Sequence, residues 1–213
     1  MAWHIYIYKQ SYFAFGACLK RKSADWCVCI LNITSPNNPT GAAATRSQLA
    51  DLIAYCRKTG KIVVFDAAYA AYIQDKDIPR SIYDVPGAEE VAIEVNSFSK
   101  VAGFTGVRLG WTVIPKAMKW TNGSVHADFS RIMSTVFNGA SNIAQAGGLA
   151  CLAPEGLAAI DEITKYYMSN ATLLNTTFSK LGFEVCQFQC PLLILYLFIP
   201  NQYICINNCA LYR

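Results

Sequence analysis

Apolar runs alternate with turn and helix signals from residue 27 onwards. The runs at 27–33, 61–65, 91–95 and 107–114 are predicted to be strands. After the first run, Thr45 and Gln48 form a capping box for a helix, and Gly60 fits the end of that helix. Its predicted apolar face is Leu49, Leu52, Ile53 and Cys56. Strands separated by helical segments predict an α/β fold with a mostly parallel sheet.

The part of the chain beyond Pro115 is predicted to be mainly helical. Pro154 suits the first turn of a long helix and Gly182 suits its end. Its apolar and aromatic residues recur every three or four positions, which indicates a core or interface stripe and not a cofactor site. These residues are Leu157, Ile160, Ile163, Tyr167, Ala171, Leu174, Phe178 and Leu181. The apolar segment 191–200 is too short to cross a membrane, which takes about 20 residues, so no membrane partner is expected.

Composition narrows the class of protein. Of the 213 residues, 54% are hydrophobic and 15% charged, which favours a globular chain with a core. The net charge is only +4 and no basic cluster exceeds residues 20–22, so nucleic-acid binding is not expected. Nine cysteines, an odd number without a C-x-x-C pair, and only two histidines argue against a disulfide framework or a metal site.

The richest chemical pattern is N-S-F-S-K-V-A-G-F-T-G-V-R-L-G-W, residues 96–111. Lys100 follows Ser97 and Ser99, and Arg108 comes eight residues later. A lysine amine can bind an aldehyde, while hydroxyls and a planar guanidinium bind phosphate. The pattern therefore predicts a site for pyridoxal 5′-phosphate.

Two earlier motifs supply what else this cofactor needs. Asn38 in S-P-N-N-P-T-G can donate to the phenolic oxygen, and so can Tyr69 in D-A-A-Y. Asp66, at the end of a strand, can pair with the pyridine nitrogen. Taken singly, Asn38 fits an ordinary turn, Asp66 a helix cap or loop acid, and Tyr69 the core. Their combination with Lys100 favours the cofactor site.

These motifs resemble the fold-type-I, class I/II aminotransferases over about residues 33–185. F-S-K-V-A-G-F-T-G-V-R-L-G-W, S-P-N-N-P-T-G and F-N-G-A-S-N-I-A-Q-A are similar in particular to LL-diaminopimelate aminotransferases and their plant relatives. D-A-A-Y-A-A-Y and V-A-I-E-V-N-S-F-S-K are closer to the plant defence-linked branch, which transaminates lysine toward pipecolate. The donor amino acid, diaminopimelate or lysine, stays open at this point.

The resemblance implies the central part of a three-layer α/β/α large domain. It implies that Lys100 is the Schiff-base lysine and proton shuttle, with Asn38, Asp66, Tyr69, Ser97, Ser99 and Arg108 around the cofactor. Asn138 would reach the substrate, with capping of the next helix as the alternative. The substrates would be an amino acid and a 2-oxo acid such as 2-oxoglutarate, in lysine biosynthesis. A homodimer in the chloroplast is implied, with the cytoplasm as the alternative location.

The chain departs from the family at both ends. Family members are about twice as long, and the pattern predicts a non-family segment at 1–26, a partial large domain at 27–185 and a non-family tail at 186–213. Residues 1–26 show no counterpart of the aromatic that stacks on the ring. After Arg108 only Arg131 and Arg213 remain as candidates for a carboxylate clamp. We expect a truncated or mis-spliced gene product. It would be an active enzyme, a non-catalytic fragment that binds the cofactor, or a chain that does not fold.

Overall fold

The computed structural model describes residues 4–8, 15–20, 27–38, 41–120, 123–182, 194–199 and 202–207. The strands in these ranges are β1 (His4–Tyr8), β2 (Phe15–Lys20), β3 (Cys27–Thr34), β4 (Ile62–Asp66), β5 (Ala92–Ser97), β6 (Gly110–Val113), β7 (Lys119–Trp120), β8 (Gly123–Ser124), β9 (Ile194–Ile199) and β10 (Gln202–Asn207). The α-helices are α1 (Arg46–Thr59), α2 (Ala88–Val91), α3 (Phe98–Val101), α4 (Val125–Ile132), α5 (Asn142–Leu152) and α6 (Pro154–Lys180). Two 3₁₀ helices, Ala70–Tyr72 and Ile82–Asp84, and a π-helical turn, Met133–Phe137, complete the elements.

The main sheet has the strand order β1-β2-β3-β4-β5-β6. Its centre is parallel: β3 pairs with β4, and β4 with β5, in the same direction. Thr34 lies opposite Asp66, and Asp66 lies opposite Val95, so the three strands end at one edge. The α/β class is confirmed, and all four predicted strands exist with their ends shifted by at most three residues.

β6 differs from the expectation because it is shorter than 107–114 and runs antiparallel to β5. Ser97 lies opposite Gly110, and just beyond them Phe98 N donates to Leu109 O at 3.1 Å. The connection holds only the single turn of α3, which cannot return the chain to the far end of the sheet. A parallel pairing needs such a crossover, so the chain folds back beside β5 instead.

Helix α1 forms for the local reasons that its sequence predicts. Thr45 Oγ1 accepts from Gln48 N at 3.2 Å, and Gln48 Oε1 accepts from Thr45 N at 2.9 Å, which completes the capping box. Gly60 ends the helix with φ +62°. Of the predicted apolar face, Leu49, Ile53 and Cys56 are buried. They pack with Ile33, Val63 and Phe65 of the central strands, so α1 covers one face of the sheet.

A buried carboxylate braces the strand that leads to the lysine. Glu94 of β5 accepts from Ser81 Oγ at 2.6 Å and from Ile82 N at 3.0 Å with one oxygen. Its other oxygen accepts from Asn96 Nδ2 at 2.9 Å. A buried carboxylate must be compensated by hydrogen bonds. The first two join β5 to the start of the 3₁₀ helix Ile82–Asp84, and the third lies within β5.

The long helix α6 is confirmed, with Pro154 in its first turn and Gly182 just beyond its end. Its apolar stripe is only partly covered, since Ala171 is buried while Leu157 and Leu181 are more than half exposed. This exposure favours an interface over the core as the place of the apolar stripe. Within the described residues no single helix is long and apolar enough to cross a membrane. In the described part of the chain, one helix pair, α5 and α6, has the length and composition of a membrane span when taken together, but the pair is bent by 82°.

Candidate active site

The candidate residues converge at the edge where the three parallel strands end. β3 leads into the loop with Asn38, β4 ends at Asp66 and leads to Tyr69, and β5 leads into α3 with Lys100. Ligands of open α/β sheets bind at the carboxyl ends of the strands, because the loops that follow parallel strands meet there. The topology therefore gathers motifs that are far apart in sequence.

The loop after β3 is held in place by hydrogen bonds of its backbone and of the Ser35 side chain. Ser35 N donates to Asp66 O at 3.0 Å, and Ser35 Oγ accepts from Ala44 N at 2.9 Å. Asn37 N donates to Ala42 O at 2.8 Å, which closes the loop on itself. Beyond this anchor, Asn38 Nδ2 donates to the Tyr69 hydroxyl at 3.3 Å. The two predicted donors to the phenolic oxygen are therefore direct neighbours.

Asp66 is half-buried at the end of β4. Its Oδ1 accepts from Ala68 N at 3.0 Å, which turns the chain out of the sheet toward Tyr69. This contact agrees with the loop-acid alternative, and it also fixes the direction of the carboxylate. A half-buried carboxylate among strand ends can bind a cationic ring nitrogen.

Lys100 lies over Tyr69. Its Nζ is 5.7 Å from the centroid of the Tyr69 ring, within the range of a cation–π contact. Tyr69 is itself buried, so this ring forms a floor below the amine. Asn38, Tyr69 and Lys100 thus form one connected group across three loops.

The two serines and Arg108 lie close together around α3. Ser97 Oγ accepts from Ser99 N at 3.1 Å and caps α3. Arg108 Nη1 lies 3.4 Å from Ser99 Oγ and donates to Thr105 O at 2.6 Å. Arg108 also adopts φ +63°, which is uncommon for a residue with a side chain. This left-handed conformation occurs at the residue whose guanidinium reaches Ser99.

Sequence reasoning missed one residue of this group, Tyr72. Its hydroxyl donates to the Lys100 carbonyl oxygen at 2.7 Å, and its side chain is buried. The repeated tyrosine in D-A-A-Y-A-A-Y was the available signal. Its function could not be inferred because the contact joins loops that follow different strands.

In the described part of the chain, no hydrogen bond joins Asn138 to this group. It ends the π-helical turn with φ +59°, and its backbone N donates to Met133 O at 2.8 Å. The alternative that it caps the next helix is wrong, since Ser141 Oγ accepts from Ala144 N and caps α5. Its contact with substrate stays a prediction.

The donor set matches the functional groups of pyridoxal phosphate. An amine is available for the aldehyde, a carboxylate for the pyridine nitrogen and two donors for the phenolic oxygen. Hydroxyls and a guanidinium are available for the phosphate. All of them are attached to the same edge of the sheet or to the turn beside it.

The family model for aminotransferase class I and II matches residues 15–212. The chain belongs to the class I and II aminotransferases. This aminotransferase chain is 56% identical over 157 residues to the LL-diaminopimelate aminotransferase of Protochlamydia amoebophila. It is 58% identical over 157 residues to the chloroplastic LL-diaminopimelate aminotransferase of Arabidopsis thaliana. Both alignments cover 73% of the chain, but only 38% and 34% of those relatives.

Solved structures agree with the sequence comparison. The LL-diaminopimelate aminotransferase from Chlamydomonas reinhardtii superposes with a TM-score of 0.75 at 56% identity. The superposition covers 84% of the chain and 44% of that structure. The predicted resemblance to LL-diaminopimelate aminotransferases and the fold class are therefore confirmed. The aminotransferase chain spans less than half the length of these relatives, and its domain boundaries at 26 and 186 stay a prediction.

Proposed function

We propose that this chain forms the cofactor-binding core of a pyridoxal-phosphate-dependent aminotransferase. The observation that best supports this proposal is that Lys100 Nζ lies 5.7 Å from the centroid of the Tyr69 ring, whose hydroxyl accepts a hydrogen bond from Asn38. An amine and two donors to one phenolic oxygen are the neighbours that this cofactor requires. Family membership supports the same cofactor, since class I and II aminotransferases use it.

Each side chain then has one task. Lys100 Nζ binds the aldehyde, Asp66 pairs with the pyridine nitrogen, and Asn38 and Tyr69 donate to the phenolic oxygen. Bound in this way, pyridoxal phosphate supplies a carbonyl that binds amines and a protonated ring that accepts electrons. Asp66 keeps the ring nitrogen protonated, because a carboxylate favours the cationic form of a neighbouring base.

The phosphate is assigned to the serines and the arginine near α3. Ser97 and Ser99 supply hydroxyl donors, and Arg108 supplies a planar fork that suits phosphate oxygens. Arg108 Nη1 is already 3.4 Å from Ser99 Oγ, which supports a shared ligand for the two side chains. Lys100 Nζ, as a neutral amine, would also be the group that takes up the substrate's α-proton and gives it up again.

For the donor we propose LL-diaminopimelate and for the acceptor 2-oxoglutarate. The names of the relatives from Protochlamydia amoebophila and Arabidopsis thaliana support this donor over lysine. Asn138 is the candidate substrate contact. Spectrophotometric assays with LL-diaminopimelate and with L-lysine at equal concentration distinguish the two donors. Faster turnover of lysine would overturn this part of the proposal.

A homodimer and a chloroplast location are further parts of the proposal. Apolar side chains around the π-helical turn and α5 are mostly exposed, which supports an interface there: Val136, Phe137, Ile143, Leu149 and Leu152. The relatives from Arabidopsis thaliana and Oryza sativa are named chloroplastic, which supports that location. Analytical ultracentrifugation and immunodetection in purified chloroplasts test the two parts.

The cofactor proposal is tested by reductive trapping of pyridoxal phosphate on the lysine. The purified chain is mixed with pyridoxal phosphate, reduced with borohydride, digested and mapped by mass spectrometry. We expect the mass of a reduced pyridoxyl phosphate on Lys100, and none at this peptide in Lys100→Arg. Lys61 is a matched control because its Nζ also lies over a tyrosine, 4.9 Å from the Tyr55 ring centroid.

Lys61→Arg should leave the trapping on Lys100 unchanged. Equal labelling of Lys61 and Lys100 would mean that the reagent reacts with any amine and would overturn the proposal. Trapping on Lys100 without amino transfer would support the cofactor site and exclude catalysis by this chain alone.

A further inference from the structure

The short helix that carries Lys100 ends in carbonyl groups that need partners from elsewhere. α3 has four residues, and its last helical bond runs from Ala102 N to Phe98 O at 3.0 Å. The carbonyls of Ser99 and Lys100 therefore lie beyond the helical pattern. Thr105 Oγ1 donates to Ser99 O at 3.2 Å, and Tyr72 donates to Lys100 O at 2.7 Å. Side-chain hydroxyls thus complete the end of this helix.

Tyr72 is held firmly where it makes this bond. Its ring is buried and meets Tyr167 of α6 edge-on, with centroids 6.3 Å apart and planes at 81°. Its backbone N donates to Tyr69 O at 3.1 Å within the loop after β4. The hydroxyl is therefore fixed by packing on one side and by the backbone on the other.

The same loop contacts both ends of the lysine. Tyr69 lies below the amine and Tyr72 binds the carbonyl oxygen, while Ala67 N anchors the loop to Val95 O of β5 at 2.9 Å. Because the backbone at residue 100 determines where its side chain starts, a fixed carbonyl limits the directions that the amine can take.

We propose that Tyr72 is a positioning residue that aims the Lys100 amine at the cofactor's aldehyde through the hydrogen bond to the Lys100 carbonyl. The inference rests on the proposed function, since it needs Lys100 to be the lysine that binds this aldehyde. A positioning role acts on reactions of the amine and has little effect on ligands that do not use it.

The test compares two forms of the cofactor by isothermal titration calorimetry. Pyridoxal phosphate uses the lysine, whereas pyridoxamine phosphate has no aldehyde and does not. Tyr72→Phe removes the hydroxyl and keeps the ring against Tyr167. We expect this variant to bind pyridoxal phosphate about tenfold more weakly, because binding must then order a less restricted Lys100 side chain, with pyridoxamine phosphate affected less than twofold.

Tyr83→Phe is the matched control. The Tyr83 hydroxyl likewise lies within hydrogen-bonding distance of backbone carbonyls of the sheet, 2.9 Å from Ala92 O and 3.0 Å from Val113 O. In the described part of the chain it makes no hydrogen bond to a candidate site residue. We expect the control to leave the ratio of the two affinities unchanged, even if it unfolds at a lower temperature.

Each outcome decides a different point. Equal weakening of both ligands in Tyr72→Phe, or no binding of either, assigns Tyr72 a purely structural role and overturns the inference. Unchanged binding of both ligands also overturns it. A wild-type chain that binds pyridoxamine phosphate but never captures pyridoxal phosphate on Lys100 overturns the proposed function, and the inference with it.

Discussion

Replacing Arg108 by glycine should separate the stability of the fold from binding of the phosphate. Arg108 has φ +63°, a conformation that costs a residue with a Cβ about 1–2 kcal/mol. Glycine removes that cost but adds about 0.4–1 kcal/mol of chain entropy to the unfolded state. The side chain is exposed, so its bonds to Thr105 O and Ser99 Oγ contribute little to folding. We therefore expect Arg108→Gly to be about 0.5 kcal/mol more stable than the wild type.

Arg108→Gly should bind pyridoxal phosphate more weakly, although its fold should be more stable. Hydrogen bonds to a charged group are worth about 1.5–3 kcal/mol, so loss of the guanidinium should weaken pyridoxal phosphate about tenfold to a hundredfold. Pyridoxal, which lacks the phosphate, should bind as it does to the wild type. Arg108→Lys is the matched control, because it retains the charge and the Cβ while losing the planar fork. Arg108→Lys should be no more stable than the wild type, and it should lose less affinity for pyridoxal phosphate than Arg108→Gly.

Urea unfolding measures the first effect and calorimetry with both ligands measures the second. A loss of more than about 1 kcal/mol in Arg108→Gly would refute the argument from the backbone angle. Equal weakening of pyridoxal and pyridoxal phosphate would refute the assignment of Arg108 to the phosphate. Both results can be obtained from the same protein preparations.

Two further predictions concern the frame of the site. A Cβ at Gly110 would lie 2.8 Å from Asn96 O, so Gly110→Ala should cost about 1–3 kcal/mol in urea unfolding; Gly106→Ala, with open space around it, should cost little. Burial raises the pKa of the Cys56 thiol to about 11, against a smaller opposing effect of Lys61. The Cys56 thiol ionises at a lower pH in the unfolded chain than in the folded one, so the free energy of unfolding should fall between pH 9 and 11. Cys56→Ala should reduce that fall, which urea unfolding at each pH would measure. An identical fall in Cys56→Ala would contradict the second prediction.

Local signals in the sequence were sufficient for several elements. Thr45 and Gln48 predicted the start of α1, Gly60 its end, and Pro154 the start of α6, since each signal acts within one turn of helix. The neighbourhood of Asn38, Tyr69 and Lys100 was also predicted in outline, because the three motifs resemble those of a family with a known cofactor. Identity to named relatives later confirmed that resemblance.

Other features depend on contacts between distant segments. The antiparallel direction of β6, the partial exposure of the α6 stripe and the left-handed angle at Arg108 have no signature in a short window of sequence. The hydrogen bond from Tyr72 to Lys100 is of the same kind, since it joins loops that follow β4 and β5.

The sequence by itself determined which side chains are available for the cofactor, because the identity of an amine, a carboxylate or a guanidinium does not depend on folding. The tertiary structure alone decided which of them meet. Parallel β3, β4 and β5 end at one edge, so the loops of Asn38, Tyr69 and Lys100 come into contact there. Among the described residues, no hydrogen bond joins Asn138 to them. That arrangement follows from strand pairing, which is a property of the whole sheet and not of any one motif.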